Sequence, residues 1–190
     1  FRWYWDYAGG LMTDWGVHEI DIALYAMNVT APRSVVASGG KFAYPDDASE
    51  TPDTLQAVFE YDGFTMLWEH ATGIDGGPYG RTEGIAFIGN NGTLVVNRGG
   101  WEVLPEWVTE GGTRKAKVPA VPLQSNRGDI LDLHTRNFVA AIKANDPSIL
   151  ACGIDTGSVA AINAQMGNIA FKTGRKVHWD ASANRFRDDA

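Results

Sequence analysis

The order of hydrophobic patterns in this chain predicts an α+β fold, an open, predominantly antiparallel β-sheet with helices packed on one face. Three observations carry that expectation. A helical pattern comes early, strand-like runs joined by tight turns fill the middle, and two helical patterns close the chain. Hairpins force antiparallel neighbours, whereas parallel pairs need crossovers of a dozen residues or more. Helices gathered at the two ends of such a chain find their seat on one sheet face.

Each element has its own justification. Residues 1–13 are aromatic and then Gly-rich at Gly9 and Gly10, which reads as a loop approaching a helix. Asp14 is suited to cap that helix. From Trp15 to Met27 the apolar residues Val17, Ile20, Leu24 and Met27 recur at helical spacing, and Asn28 and Pro32 end the run. Strand-like runs follow at Val35–Phe42, Thr54–Tyr61 and Phe64–His70, the last two joined by an Asp62-Gly63 turn. A second hairpin is expected from Gly84–Ile88 and Thr93–Asn97 around Asn90-Asn91-Gly92, with a further strand at Trp101–Val108. Residues 109–126 lack periodicity and read as a surface loop. Helices return at Asp129–Ala144 and Thr156–Phe171, followed by a short strand at Arg175–Trp179 and a polar tail. No internal repeat or boundary interrupts this order, so residues 1–190 are expected to form a single domain.

Composition narrows the function. Apolar residues make up 44% of the chain and charged residues 21%, the balance of an ordinary globular protein. Sixteen Lys and Arg against 23 Asp and Glu leave a net charge of −7, which argues against a nucleic-acid partner. No apolar run approaches the roughly 20 residues of a membrane span. The single Cys152 excludes an internal disulfide, and it is expected to be a small buried residue. The chain opens on Phe1, with no initiating Met, so a fragment or processed product of a larger protein is expected.

The segment richest in chemistry is Gly9-Gly10-Leu11-Met12-Thr13-Asp14-Trp15-Gly16-Val17-His18-Glu19-Ile20-Asp21. On a helix, Asp14, His18, Asp21 and Tyr25 fall within an arc of roughly 60°, about 110° from the apolar stripe. A carboxylate one turn from an imidazole can orient the ring through one nitrogen and leave the other for proton transfer. Simpler roles fit the same spacing. Asp14 would then only cap, His18 would be a boundary residue and Asp21 a solvated charge. A metal site would need a third ligand, and His70, His134 and His178 show no ligand spacing, so no metal is expected. His134 sits among Ile130, Leu131, Phe138 and Ala141 on one stripe and reads as a hydrogen-bonded core or interface residue.

This segment resembles the C-terminal-domain signature of the Gfo/Idh/MocA family of glucose–fructose oxidoreductase and inositol dehydrogenase-like proteins. The family pattern is a Gly-rich turn, then Asp, three residues, His, two residues and Asp, matched here by Gly9-Gly10, Asp14, His18 and Asp21. His134-Thr-Arg-Asn137-Phe138 resembles the family's late helix, and Asn168 to Asp180 its closing helix and strand. The resemblance implies an NAD(P)-dependent oxidoreductase acting on a sugar, cyclitol or related alcohol. It also implies that NAD or NADP is held mainly by an N-terminal Rossmann domain, which this chain lacks. Neither a GxGxxG loop after a strand nor a Glu-Lys-Pro motif occurs here.

Carried over residue by residue, His18 would be the acid/base, with Asp14 orienting it or binding a substrate hydroxyl. Asp21 would support the site or be simply structural. Apart from the resemblance, Trp3, Tyr4, Trp5 and Tyr7 immediately precede the signature, and their ring faces either line the substrate cleft or cover the core or an interface. The fragment alone should be inactive. The family also implies homo-oligomerisation through the sheet, and Val58, Phe59, Tyr61, Phe64, Met66 and Trp68 are compatible with two buried sheet faces. An NAD-dependent glycosidase on the same scaffold and a non-catalytic carbohydrate-binding or dimerisation module are the alternative readings. The compartment stays open: a lone Cys fits the cytoplasm, and exported relatives with a leader exist.

Overall fold

The computed structural model describes residues 1–126 and 128–187. These fall into two compact units, one formed by Phe1–Ile74 with Cys152–Ala190 and the other by Asp75–Ala151.

The first unit contains a five-stranded sheet made of β1 (Ser34–Gly40), β2 (Thr54–Glu60), β3 (Thr65–Ala71), β10 (Val177–Asp180) and β11 (Arg185–Phe186), in the order β11-β10-β1-β2-β3. Every pairing within it is antiparallel, as hairpin connections require. The period of two sorts its side chains cleanly. Leu55, Ala57 and Phe59 of β2 are wholly buried, while Gln56 and Val58 between them face outward. Register places Phe59 between Val35 and Met66, and Ala57 between Ala37 and Trp68.

That inward face meets the helices. The short α1 (Gly10–Thr13) and α2 (Trp15–Met27) contribute Met12, Ile20 and Leu24 to the core, and α4 (Ile154–Thr173) contributes Ala164, Met166 and Ala170. Asn28 ends α2 in the left-handed conformation, its N–H reaching the carbonyls of Leu24 and Tyr25. Two buried asparagines secure α4. Asn163 bonds the Tyr61 hydroxyl at 2.9 Å and the Thr30 carbonyl at 2.8 Å, and Asn168 bonds the Gly9 carbonyl at 2.9 Å. The α+β class and the antiparallel sheet with helices on one face hold.

The second unit has a four-stranded antiparallel sheet, β4 (Ile85–Ile88), β5 (Gly92–Asn97), β6 (Gly100–Pro105) and β9 (Val121–Ser125), in that order. A separate hairpin joins β7 (Trp107–Glu110) to β8 (Thr113–Ala116), and α3 (Ile130–Ala144) follows. Asp129 caps α3, accepting the Asp132 N–H at 3.0 Å.

Several expectations need correction. The segment read as a loop, 109–126, holds β8 and β9, because their exposed and largely polar residues pair by backbone bonds that leave no hydrophobic rhythm. The run Trp101–Val108 is two strands, divided at Glu106. The polar tail includes β11, whose Phe186 packs edge-on against Trp179. Cys152 is exposed rather than buried, and His134 is exposed rather than in the core, since α3 leaves most of its surface open.

Candidate functional site

The candidate residues gather where the N-terminal segment meets the start of α2. Gly9 and Gly10 permit that meeting. A Cβ on Gly9 would lie 2.3 Å from the Asn168 amide nitrogen, and one on Gly10 would lie 2.8 Å from the Thr51 side chain. Gly10 also adopts φ +65°, the left-handed region that favours glycine. Gly16 brings the first turn of α2 onto the Trp68 indole, which a Cβ there would touch at 3.5 Å.

Asp14 occupies the N-cap position of α2 but forms no capping bond. Its carboxylate is taken by the Arg2 guanidinium instead, an ion pair that ties the N-terminal segment to the helix. This Arg2 partner was not foreseen from the spacing of Asp14 and His18. His18 is exposed one turn along α2, with the Trp15 indole edge-on at 6.3 Å between ring centroids. Asp21, on the next turn, is half-buried. Burial pushes its carboxyl above the usual carboxylate range, and the nearby His18 partly opposes that rise. The structure thus brings His18 and Asp21 within electrostatic reach and couples Asp14 to Arg2.

The aromatic residues are held by a second loop. The Trp3 carbonyl accepts the N–H groups of Glu50 (2.8 Å) and Thr51 (3.2 Å), and the Trp5 N–H donates to the Glu50 carboxylate at 2.9 Å. Arg2 lies over the Trp3 ring at 5.6 Å and the Lys172 ammonium over the Trp5 ring at 4.4 Å. Trp3 and Trp5 are half-buried, and Tyr4 is more open.

Sequence reasoning missed several supporting groups. Asp53 is 5% exposed and accepts the N–H groups of Phe42, Ala43 and Tyr44 together with the Thr54 hydroxyl. Burial alone would raise its carboxyl, and these bonds outweigh burial to hold it below the usual range. His70 is 7% exposed on the inward face of β3; its alternation with Met66 and Trp68 was a usable signal. Burial of the imidazole pushes its pKa down, against the opposing pull of the Pro52 carbonyl and Asp53. The bond from Asn168 to the Gly9 carbonyl, 159 positions away, and the Arg2–Asp14 ion pair leave no pattern in the sequence, because only the tertiary fold brings the partners together.

The arrangement offers proton transfer at an exposed imidazole beside aromatic surface. Among the described residues, no three His, Cys, Asp or Glu side chains gather as metal ligands. No helix among them is long and apolar enough to cross a membrane.

Comparison with known proteins bears on this geometry. No curated protein matches the chain. Solved structures share the fold. The protein yvaA of Bacillus subtilis is 16% identical with a TM-score of 0.61, covering 90% of this chain and 53% of that one. The NAD binding oxidoreductase from Klebsiella pneumoniae is 17% identical with a TM-score of 0.60, over 90% and 50%. GenD2 from gentamicin A biosynthesis, solved in complex with NAD, is 18% identical with a TM-score of 0.58, over 94% and 51%. The chain therefore spans about half the length of these structures. The GFO/IDH/MocA C-terminal domain matches residues 1–95, half of the chain and the half that holds Asp14, His18 and Asp21. The chain belongs to the GFO/IDH/MocA C-terminal domain family.

Proposed function

We propose that this chain is the substrate-binding domain of an NAD(P)-dependent oxidoreductase that transfers hydride between a sugar, cyclitol or related alcohol and a nicotinamide. The observation that carries this reading is the exposed His18 imidazole on α2, within the family match and beside the half-buried Trp15 indole.

The donor set fits the proton half of that chemistry. Its Gly-rich turn does not fit the dinucleotide half: Gly9 and Gly10 are closed by Asn168 and Thr51 and leave no cradle for a pyrophosphate. A Rossmann domain of a longer parent protein would hold NAD or NADP. When bound, the nicotinamide supplies the hydride chemistry. The residues of this chain do the rest. His18 takes the proton of the reacting hydroxyl through an imidazole nitrogen and returns it in the reverse direction. Asp21 faces the imidazolium formed when His18 holds that proton and stabilises it. Asp14, paired with Arg2, fixes the start of α2 and presents its second oxygen to a substrate hydroxyl. Trp3, Tyr4 and Trp5 offer ring faces to the apolar side of a sugar.

The outward sheet face suits a second copy. Val36, Val58 and Leu67 lie in register across β1, β2 and β3, are 45%, 38% and 58% exposed, and are flanked by polar rows. An apolar strip of this kind supports homo-oligomerisation.

The test uses the full-length parent with NAD(H) and NADP(H) and a panel of sugars and cyclitols. His18→Ala should lower kcat about 10²-fold or more with the fold intact. Unchanged turnover in His18→Ala, or no redox turnover with any member of the panel, would overturn the reading.

A further inference from the structure

A polar chain, buried at His70 and half-buried at Trp68, joins the two halves of the candidate site. Trp68 Nε1–H donates to His70 Nδ1 at 3.1 Å, which leaves Nδ1 unprotonated. His70 Nε2–H is then free to donate to the Pro52 carbonyl at 3.2 Å. Both nitrogens of a neutral imidazole are satisfied, and the tautomer is fixed by its neighbours. On one side, the Trp68 indole lies under Gly16, between Asp14 and His18. On the other side, Thr51, Pro52 and Asp53 are all buried. Thr51 abuts Gly10 and donates its N–H to the Trp3 carbonyl, while Asp53 gathers the backbone of residues 42–44.

We propose that His70 is a positioning residue, which sets the aromatic segment carrying Trp3 and Trp5 against the start of α2 through Pro52 on one side and Trp68 on the other. The consequence for catalysis rests on the reading of His18 and the aromatic residues given above. The physical coupling does not. A glutamine at this position keeps one acceptor and one donor on a planar group, whereas leucine keeps the bulk and loses both.

The experiment is residue-resolved hydrogen exchange on the full chain, comparing wild type, His70→Leu, His70→Gln and Trp68→Phe. The amides to follow are those of Trp5, Gly10, Phe42, Ala43, Tyr44, Glu50 and Thr51, with Ala57 and Phe59 as the reference within the sheet. His70→Leu and Trp68→Phe should speed exchange at the first group about tenfold and leave the reference within about threefold. His70→Gln should restore wild-type rates in that group. Exchange that rises equally in both groups would mean a general loss of stability and would overturn the proposal. So would rates unchanged in His70→Leu, or a failure of glutamine to rescue. If His70→Leu does not fold, Trp68→Phe and His70→Gln decide the matter alone. A silent His18→Ala in the turnover assay would remove the catalytic reading and leave this coupling standing.

Discussion

At the scale of single residues, close packing around Gly9 and hydrogen bonding around His70 set the strongest expectations. A Cβ at Gly9 would meet Asn168 at 2.3 Å and the Thr13 side chain at 2.6 Å. Gly9→Ala should therefore cost about 1–3 kcal/mol, the usual range for overpacking, seen as a lower urea midpoint with an unchanged slope. Asn168→Ala relieves no such strain and removes a buried donor from the Gly9 carbonyl. About 1–3 kcal/mol is again expected from the orphaned acceptor. His70 gives a pH dependence whose sign follows from its lowered pKa. The unfolded chain takes up the proton first, near pH 6.5, so stability is fully present above that value. It then falls as the pH drops through 6.5 towards the lower folded-state value. Between pH 7.5 and pH 5, wild type should lose more stability than His70→Gln in urea titrations, since the carboxylates are common to both.

At the scale of elements, the β7–β8 hairpin is the instructive case. Gly111 and Gly112 both take positive φ, +56° and +80°, as a two-residue turn matching the strand twist requires. Replacing either by Ala should destabilise the hairpin by about 1–2 kcal/mol and raise amide exchange at Val108 and Lys115. The Gly-Gly pair was a readable turn signal. Its flanks were not readable as strands, because β8 is the polar run Thr113-Arg-Lys-Ala, exposed throughout. By contrast, α2 was legible to its last residue, since its apolar spacing and its Asn28 terminator agree. The site divides in the same way. Asp14, His18 and Asp21 are local on one helix and could be read from spacing. The Arg2 partner of Asp14 and the support from Asp53 and His70 depend on contacts that only the tertiary fold creates.

At the scale of the molecule, the two units differ in what they bury. The first has a contiguous core from Met12 through Phe59 to Trp179. In the second, Val95 and Ala141 are the only fully buried apolar residues among those described. Burial of apolar surface is the main source of stability, so amides of β4–β6 should exchange faster than those of β1–β2. Equal protection in both units, measured by exchange and mass spectrometry, would contradict this. The first unit also has an order of assembly written into its topology. Val35 of β1 pairs with Val177 of β10, 142 positions later, and the Gly9 carbonyl waits for Asn168, 159 positions later. At roughly 5–20 residues per second, a ribosome needs on the order of ten seconds to supply those partners. Until then the β1 edge and the Gly9-Gly10 turn stand open, so a nascent chain stalled before residue 168 should bind chaperones that the finished chain does not.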